Sequence, residues 1–149
     1  NKRWPMEYFA RLAAELQLRE DHLRIAILGS SEDAGLSRAI SNAAPNTCLD
    51  LAGKTALLDM VEWLRHARVV VANDSGPLHI AVALDRPLVA LYGPTHVNRT
   101  GPYCRSDDAM RVSLHCAPCQ VSYCKNPIDR ECLRAISPGV VADAVQAYL

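Results

Sequence analysis

The sequence predicts an α/β domain built on a doubly wound parallel sheet, and three observations carry that expectation. Short β-rich apolar runs alternate with amphipathic segments of helical length, the pattern of strands joined by helical crossovers. The runs Val69–Ala72 and Leu88–Leu91 are apolar at every position, as strands buried on both faces must be. With 149 residues, half of them apolar, the chain can bury one sizeable core, so a single domain over residues 1–149 is expected.

The elements follow in order. In "WPMEYFARLAAELQ", Met6, Phe9, Leu12, Ala13 and Leu16 recur at helical spacing, and Pro5 suits a first turn. "LRIAILGS" is a short strand ending in Gly29 and Ser30, and "EDAGLSRAISNAAP" a polar-faced helix stopped near Pro45. "TCLDLAG" fits a short strand. "LLDMVEWLRHA" is a helix with Leu57, Leu58, Val61, Leu64 and Arg65 in its pattern, where Trp63, like Trp4, reads as a packing residue. "RVVVAND", "GPLHIAVALD" and "RPLVALYGP" read as strand, helix and strand, and "MRVSLH" as one more strand. "PGVVADAVQAYL" closes the chain as an amphipathic helix with Pro138 near its start. The first unit of a doubly wound fold is normally a strand, whereas this chain opens on a helix. It therefore reads as a piece of a longer protein.

Composition narrows the function classes. Sixteen Lys and Arg balance sixteen Asp and Glu, which leaves no basic excess for nucleic acid or an anionic membrane. The apolar runs are too short to span a bilayer, and no secretory leader stands at the start. Five of the six cysteines fall between Cys104 and Cys132. In a chain with long apolar-periodic segments they favour a reducing, cytosolic setting over a secreted disulfide scaffold.

The turn after "RVVVAN" concentrates the chemistry. In an open parallel sheet ligands bind beyond the carboxyl ends of the strands, where the next helix starts, and Asp74-Ser75-Gly76 stands there. Asp74 or Ser75 can cap the helix, Gly76 lets a ligand approach the backbone, and free first-turn N–H groups attract an anion. His79 follows about one turn later, and Gly93-Pro94 closes the neighbouring strand. The pattern fits a diphosphate pocket. The same residues also fit a plain helix cap, a tight turn and a buried histidine. Neither a GxGxxG nor a GxxxxGK[ST] pattern occurs, so a nicotinamide-dinucleotide or P-loop site has no direct support.

Five motifs then occur in one order: "NKRWP" (Asn1–Pro5), "LGS" (Leu28–Ser30), "LAGKT" (Leu51–Thr55), "NDSGPLH" (Asn73–His79) and "RPLVALYGPT" (Arg86–Thr95). Together they resemble the C-terminal half of the lipopolysaccharide heptosyltransferases (glycosyltransferase family 9), of the heptosyltransferase II type, and the resemblance runs over essentially the whole chain. It implies one of the two Rossmann-like domains of a GT-B glycosyltransferase, the half that holds the nucleotide-sugar donor ADP-L-glycero-D-manno-heptose. The reaction implied is an inverting transfer of heptose to the lipopolysaccharide inner core. By the same resemblance Lys2 neutralises the donor diphosphate, and Ser75 and Gly76 offer backbone N–H groups to phosphate. Asp74 accepts from sugar hydroxyls, His79 lies near the diphosphate or heptose, and Thr55 contacts adenine or ribose. A carboxylate after "LGS" holds the ribose, and Glu32 and Asp33 both fit. Read without the resemblance, Lys2 is a solvated terminal lysine, Thr55 a helix cap, and Glu32 or Asp33 a first-turn acid favoured by the helix dipole.

Departures from the family pattern bear on activity. The strand and phosphate loop ahead of "KRWP" and the N-terminal acceptor domain with its catalytic base lie outside this sequence. The fragment alone is therefore expected to be inactive, with no catalytic residue of its own. No Asp-x-Asp motif appears, in keeping with a site that needs no divalent cation or other cofactor. The implied setting is cytoplasmic, at the inner face of the bacterial inner membrane, with the lipid acceptor met through the other domain. "CAPCQVSYCKNPIDREC" separately offers Cys116-x2-Cys119-x4-Cys124-x7-Cys132, four thiols that fit a structural zinc, reduced structural thiols, or disulfides formed on oxidation. Two rival readings follow: another GT-B enzyme, a UDP-sugar transferase or epimerase, and a non-catalytic, zinc-stapled interaction module.

Overall fold

Helices and strands alternate through the computed structural model, which describes residues 2–149. Helix α1 (Met6–Arg19) leads to β1 (Ile25–Ile27), a 3-10 turn (Ser31–Asp33), α2 (Ala34–Ala43) and β2 (Cys48–Asp50). Then come α3 (Leu57–His66), β3 (Val70–Asn73), α4 (Gly76–Ala83), β4 (Leu88–Leu91) and a short α5 (Val97–Thr100). A second 3-10 turn (Ser106–Asp108), β5 (Ala109–Met110), α6 (Glu131–Arg134) and α7 (Pro138–Gln146) complete the order. Every strand pairing is parallel, as the α/β pattern requires.

One feature of the sheet differs from the expectation. It is two ribbons, β1–β2 and β3–β4–β5, not one continuous sheet. Ile25 pairs with Cys48 in the first, and Val70 with Leu88 in the second. No described strand hydrogen-bonds β1 to β3, so side chains alone join the halves. Ile25 of β1 and Val71 of β3 pack on one shared apolar cluster, and α1 lies against both α2 and α7.

The core is organised by β4, whose four residues are all buried. Side chains alternate across a strand. Val89 and Leu91 face a cluster with Leu12 and Leu16 of α1, Leu133 and Ile136 at α6, and Val141 and Val145 of α7. Leu88 and Ala90 face the other side, with Leu64 of α3, Leu78 and Ala81 of α4, and Tyr92. This two-sided burial is what the unbroken apolar run signalled.

Trp4 is the fastener at the chain's start. It is buried, donates its indole N–H to the Ile136 carbonyl at 3.0 Å, and meets Tyr8 and Phe9 edge-on. Its packing role is as read from the sequence. Trp63, in contrast, is 41% exposed, and Leu57 and Leu58 face solvent at the open N-terminal end of α3, where Leu64 alone is buried. The strand expected in "MRVSLH" is confined to Ala109–Met110, because β4 ends at Leu91 and pairs Ala90 with Ala109 and Leu91 with Met110. The short helices α5 and α6 span four residues each, too few for a readable period. No helix among the described residues is long and apolar enough to cross a membrane.

Candidate functional site

Parallel strands direct all their carboxyl ends to one edge. The segments that leave them there are Leu28–Asp33 after β1, Leu51–Thr55 after β2, Asp74–Gly76 after β3, and Gly93–Pro94 after β4. Residues 2–4 run into the same edge, since the Trp4 backbone N–H donates to Asn73 Oδ1 at 2.9 Å.

Asp74 is the focus. It is 7% exposed, and its Oδ2 accepts from Lys2 Nζ at 2.8 Å and from Thr100 Oγ1 at 3.2 Å. Tyr92 OH stands 3.5 Å from Oδ1 but gives its single proton to the Thr100 carbonyl at 2.5 Å. Burial alone would push the Asp74 carboxyl up. Hydrogen bonds from Lys2, Thr95 and Thr100, with the charge of Lys2, outweigh it and hold the group below its ordinary value. The Thr95 hydroxyl favours the charged form although it is buried without a full hydrogen bond among the described residues. Tyr92 is displaced upward, first by its own burial and then by the Asp74 charge, so it stays a neutral donor. Lys2 is therefore no freely solvated lysine.

The helix start beside Asp74 carries no side-chain cap. Ser75 Oγ turns back to the Asn73 carbonyl at 3.2 Å, and Asp74 is spent on Lys2 and Thr100. The cap reading of Asp74 and Ser75 is thus corrected: the side chains that could have closed the first turn of α4 have other partners. Open space flanks Gly76, where an added Cβ would meet nothing within 4 Å. His79 is exposed, so the reading of it as a buried histidine is corrected as well.

Across the edge, Asp33 and Glu32 divide. Asp33 Oδ2 accepts from the Ser30 N–H at 2.9 Å and from Ser30 Oγ at 2.7 Å, while Oδ1 meets Arg3 at 2.9 Å. Ser30's hydroxyl is the chief reason its carboxyl lies below its ordinary value. Glu32 is exposed, and its side chain has no ion pair or hydrogen bond among the described residues. The "LAGKT" turn is brought against this segment by Gly53. At φ +70° its backbone passes so close to Ser31 that a Cβ would stand 2.8 Å from Ser31 Cα, and its N–H bonds the Gly29 carbonyl. Asp50 fixes the turn's other side, accepting from the buried Ser37 hydroxyl at 2.5 Å and from the Ala52 N–H at 3.1 Å. Thr55 sits beside the turn and does not cap α3. The N-cap is Ala56, whose N–H goes to Asp59.

The structure therefore joins Lys2 to Asp74 and places Ser75, Gly76 and His79 on the same turn. Thr55 and Glu32 belong to adjoining segments of that edge. Arg3, Tyr92, Thr100 and Asp50 were not singled out from the sequence. The signal available for them was polar chemistry at the ends of apolar strands, as in "LYGP" and "CLD". Among the described residues no group of three or more His, Cys, Asp or Glu closes on a point that could hold a metal ion.

An arrangement of one buried carboxylate, one lysine and an uncapped helix N-terminus can hold a phosphorylated, hydroxyl-bearing ligand. The chain is 41% identical over 117 residues to lipooligosaccharide heptosyltransferase 2 of Haemophilus influenzae, covering 76% of this chain and 33% of that one. It is 38% identical over 115 residues to lipopolysaccharide heptosyltransferase 2 of Salmonella typhimurium, 74% of this chain and 32% of that one. Its fold superposes on the E. coli ADP-heptose lps heptosyltransferase II with a TM-score of 0.76 at 31% identity, over 99% of this chain and 42% of that one. The chain thus spans about a third of the curated relatives' length. With residues 1–128 matching that family throughout, the chain belongs to glycosyltransferase family 9, the heptosyltransferases.

Proposed function

We propose that this chain is the donor-binding half of an inverting heptosyltransferase that takes heptose from ADP-L-glycero-D-manno-heptose to the lipopolysaccharide inner core. The observation that carries the reading is the Lys2–Asp74 pair set beside the uncapped start of α4. The donor diphosphate lies between Lys2 and the Ser75 and Gly76 amides, and Asp74 accepts from heptose hydroxyls through Oδ1, since Lys2 and Thr100 both occupy Oδ2. His79 borders the same phosphate or sugar. Glu32, and not Asp33, reaches the ribose hydroxyls, because both Asp33 oxygens already have partners. Thr55 borders the adenosine.

In the reaction the acceptor hydroxyl loses its proton to a base in the N-terminal domain, and its oxygen attacks the anomeric carbon from the face opposite ADP. The glycosidic C–O bond breaks, the configuration inverts, and the electron pair leaves with ADP. Charge then grows on the diphosphate, where a fixed Lys2 cation and oriented amides stabilise the transition state more than the ground state. The whole enzyme works on the cytoplasmic side of the inner membrane, meeting its lipid acceptor through the other domain.

Calorimetric titration of the chain with ADP, ADP-heptose, UDP and NAD tests the reading. The expected result is binding of the two adenosine diphosphates without sugar or with heptose, and neither UDP nor NAD. Lys2→Ala should weaken both ligands, and Asp74→Ala chiefly ADP-heptose. A folded chain indifferent to all four would overturn a self-sufficient donor site.

A further inference from the structure

The segment between β5 and α6 holds the chemistry that the donor site leaves unused. Residues 111–130 form no helix or strand, only a single bridge between Leu114 and Ala117. A stretch of this length without secondary structure is uncommon in a compact domain unless something else fixes it. Four of the six cysteines lie on it or just after it, and they are arranged around the start of α6. Asn126 Nδ2 donates to Cys116 Sγ at 3.3 Å and to Glu131 Oε2 at 2.9 Å, and the Arg130 backbone N–H donates to Cys124 Sγ at 3.2 Å. Cys132 is 8% exposed on α6, against Gly93, where any Cβ would come within 2.9 Å of its sulfur. Gln120, next to Cys119, and Arg130, two residues before Cys132, both take left-handed backbone conformations that turn the chain back on itself.

We propose that Cys116, Cys119, Cys124 and Cys132 bind one zinc ion as a tetrathiolate staple that fastens this segment to the end of β4. Asn126 ties Cys116 to Glu131 beside Cys132, the Arg130 N–H ties Cys124 to the start of α6, and Cys132 and Gln120, next to Cys119, both meet the Gly93-Pro94 end of β4, so the four share one neighbourhood. They do not form a closed cage in this structure, and metal entry draws the loop inward by deprotonating the thiols. N–H donors already set on two of the sulfurs, Cys116 and Cys124, orient them as outer groups do at metal centres. The staple's consequence reaches the donor edge. Gln120 N–H bonds the Pro94 carbonyl at 2.7 Å, Arg99 holds the Gln120 side chain, and Arg130 donates to the Arg3 carbonyl at 3.2 Å. The metal site itself does not rest on the heptosyltransferase reading.

Cobalt(II) titration of the reduced chain, with zinc displacement, is the test. The expected result is one equivalent, with thiolate-to-cobalt charge-transfer absorption and the visible bands of tetrahedral cobalt, all erased by zinc. Cys119→Ser, at an exposed position that leaves the core intact, and Cys116→Ser should each abolish that spectrum. Cys48→Ser and Cys104→Ser should leave it unchanged. Asn126→Ala should weaken affinity roughly tenfold, the scale of an outer-group loss. Zinc should also slow tryptic cleavage after Lys125. No cobalt spectrum from a folded, reduced chain would overturn the proposal, as would a spectrum that survives Cys119→Ser and Cys116→Ser or vanishes with Cys104→Ser.

Discussion

Asp74 spends its charge before any ligand arrives. Lys2 and Thr100 share Oδ2, and the neutral Tyr92 hydroxyl is fixed nearby by the Thr100 carbonyl. Asp74→Asn keeps the shape and removes the charge, so it should cost about 1–3 kcal/mol of stability at neutral pH, the scale of a buried charged hydrogen bond. The pH dependence has a definite sign. A carboxyl whose folded value is depressed stabilises in full above its unfolded value, roughly pH 3.9, and loses that contribution as pH falls through the lower folded value. Thermal melts of the two proteins should therefore differ at pH 7 and converge in acid. A gap that stays constant down to pH 3 would mean that the Asn variant is destabilised by its shape instead.

At the scale of elements, the fold's rigid points are close approaches. Gly93 ends β4 where a Cβ would meet Leu133 Cγ at 2.7 Å and Cys132 Sγ at 2.9 Å, so Gly93→Ala should overpack the β4–α6 contact and cost about 1–3 kcal/mol. Gly53→Ala combines a left-handed φ with a backbone clash at Ser31. It should lower the melting temperature and, by pushing the Thr55 turn off Glu32, weaken ADP binding as read by calorimetry. Trp4→Ala removes a buried ring and an indole hydrogen bond and should cost about 3–5 kcal/mol in denaturant unfolding. Among these elements the sequence was legible where burial is periodic or continuous. Val89 and Leu91 against Leu88 and Ala90, and Leu12 and Leu16 on α1, follow directly from the pattern. It was illegible where a partner's position decides. Trp63 and Leu58 keep a helical period although both are exposed, and four-residue helices have no period to read. The same held at the site. Asp74 and Lys2 stood in motifs, while Thr100 and Asp50 matter only through the distant groups they touch.

For the whole molecule the divided sheet has the widest consequence. The β3–β4–β5 ribbon has apolar clusters on both faces, whereas among the described strands β1 and β2 pair only with each other, and α1 is their main bridge to the rest. Local opening should follow that difference, since segments with few buried contacts open at lower free energy than the core. Hydrogen exchange should find the amides of Leu88–Leu91 slowest, near the limit of global unfolding, and those of Ile25–Ile27 and Cys48–Asp50 exchanging through a smaller opening. Among the described strands β1 and β3 each have one unpaired edge, and Ile25 and Val71 on them pack on one cluster. A parallel strand seated between them would supply the missing hydrogen bonds. Adding such a strand, as a designed β-forming extension, should then raise protection in β1 and β2 to that of β4. Equal protection of both ribbons in the 149-residue chain would instead mean that α1 and the shared Ile25–Val71 cluster already make the domain one cooperative unit.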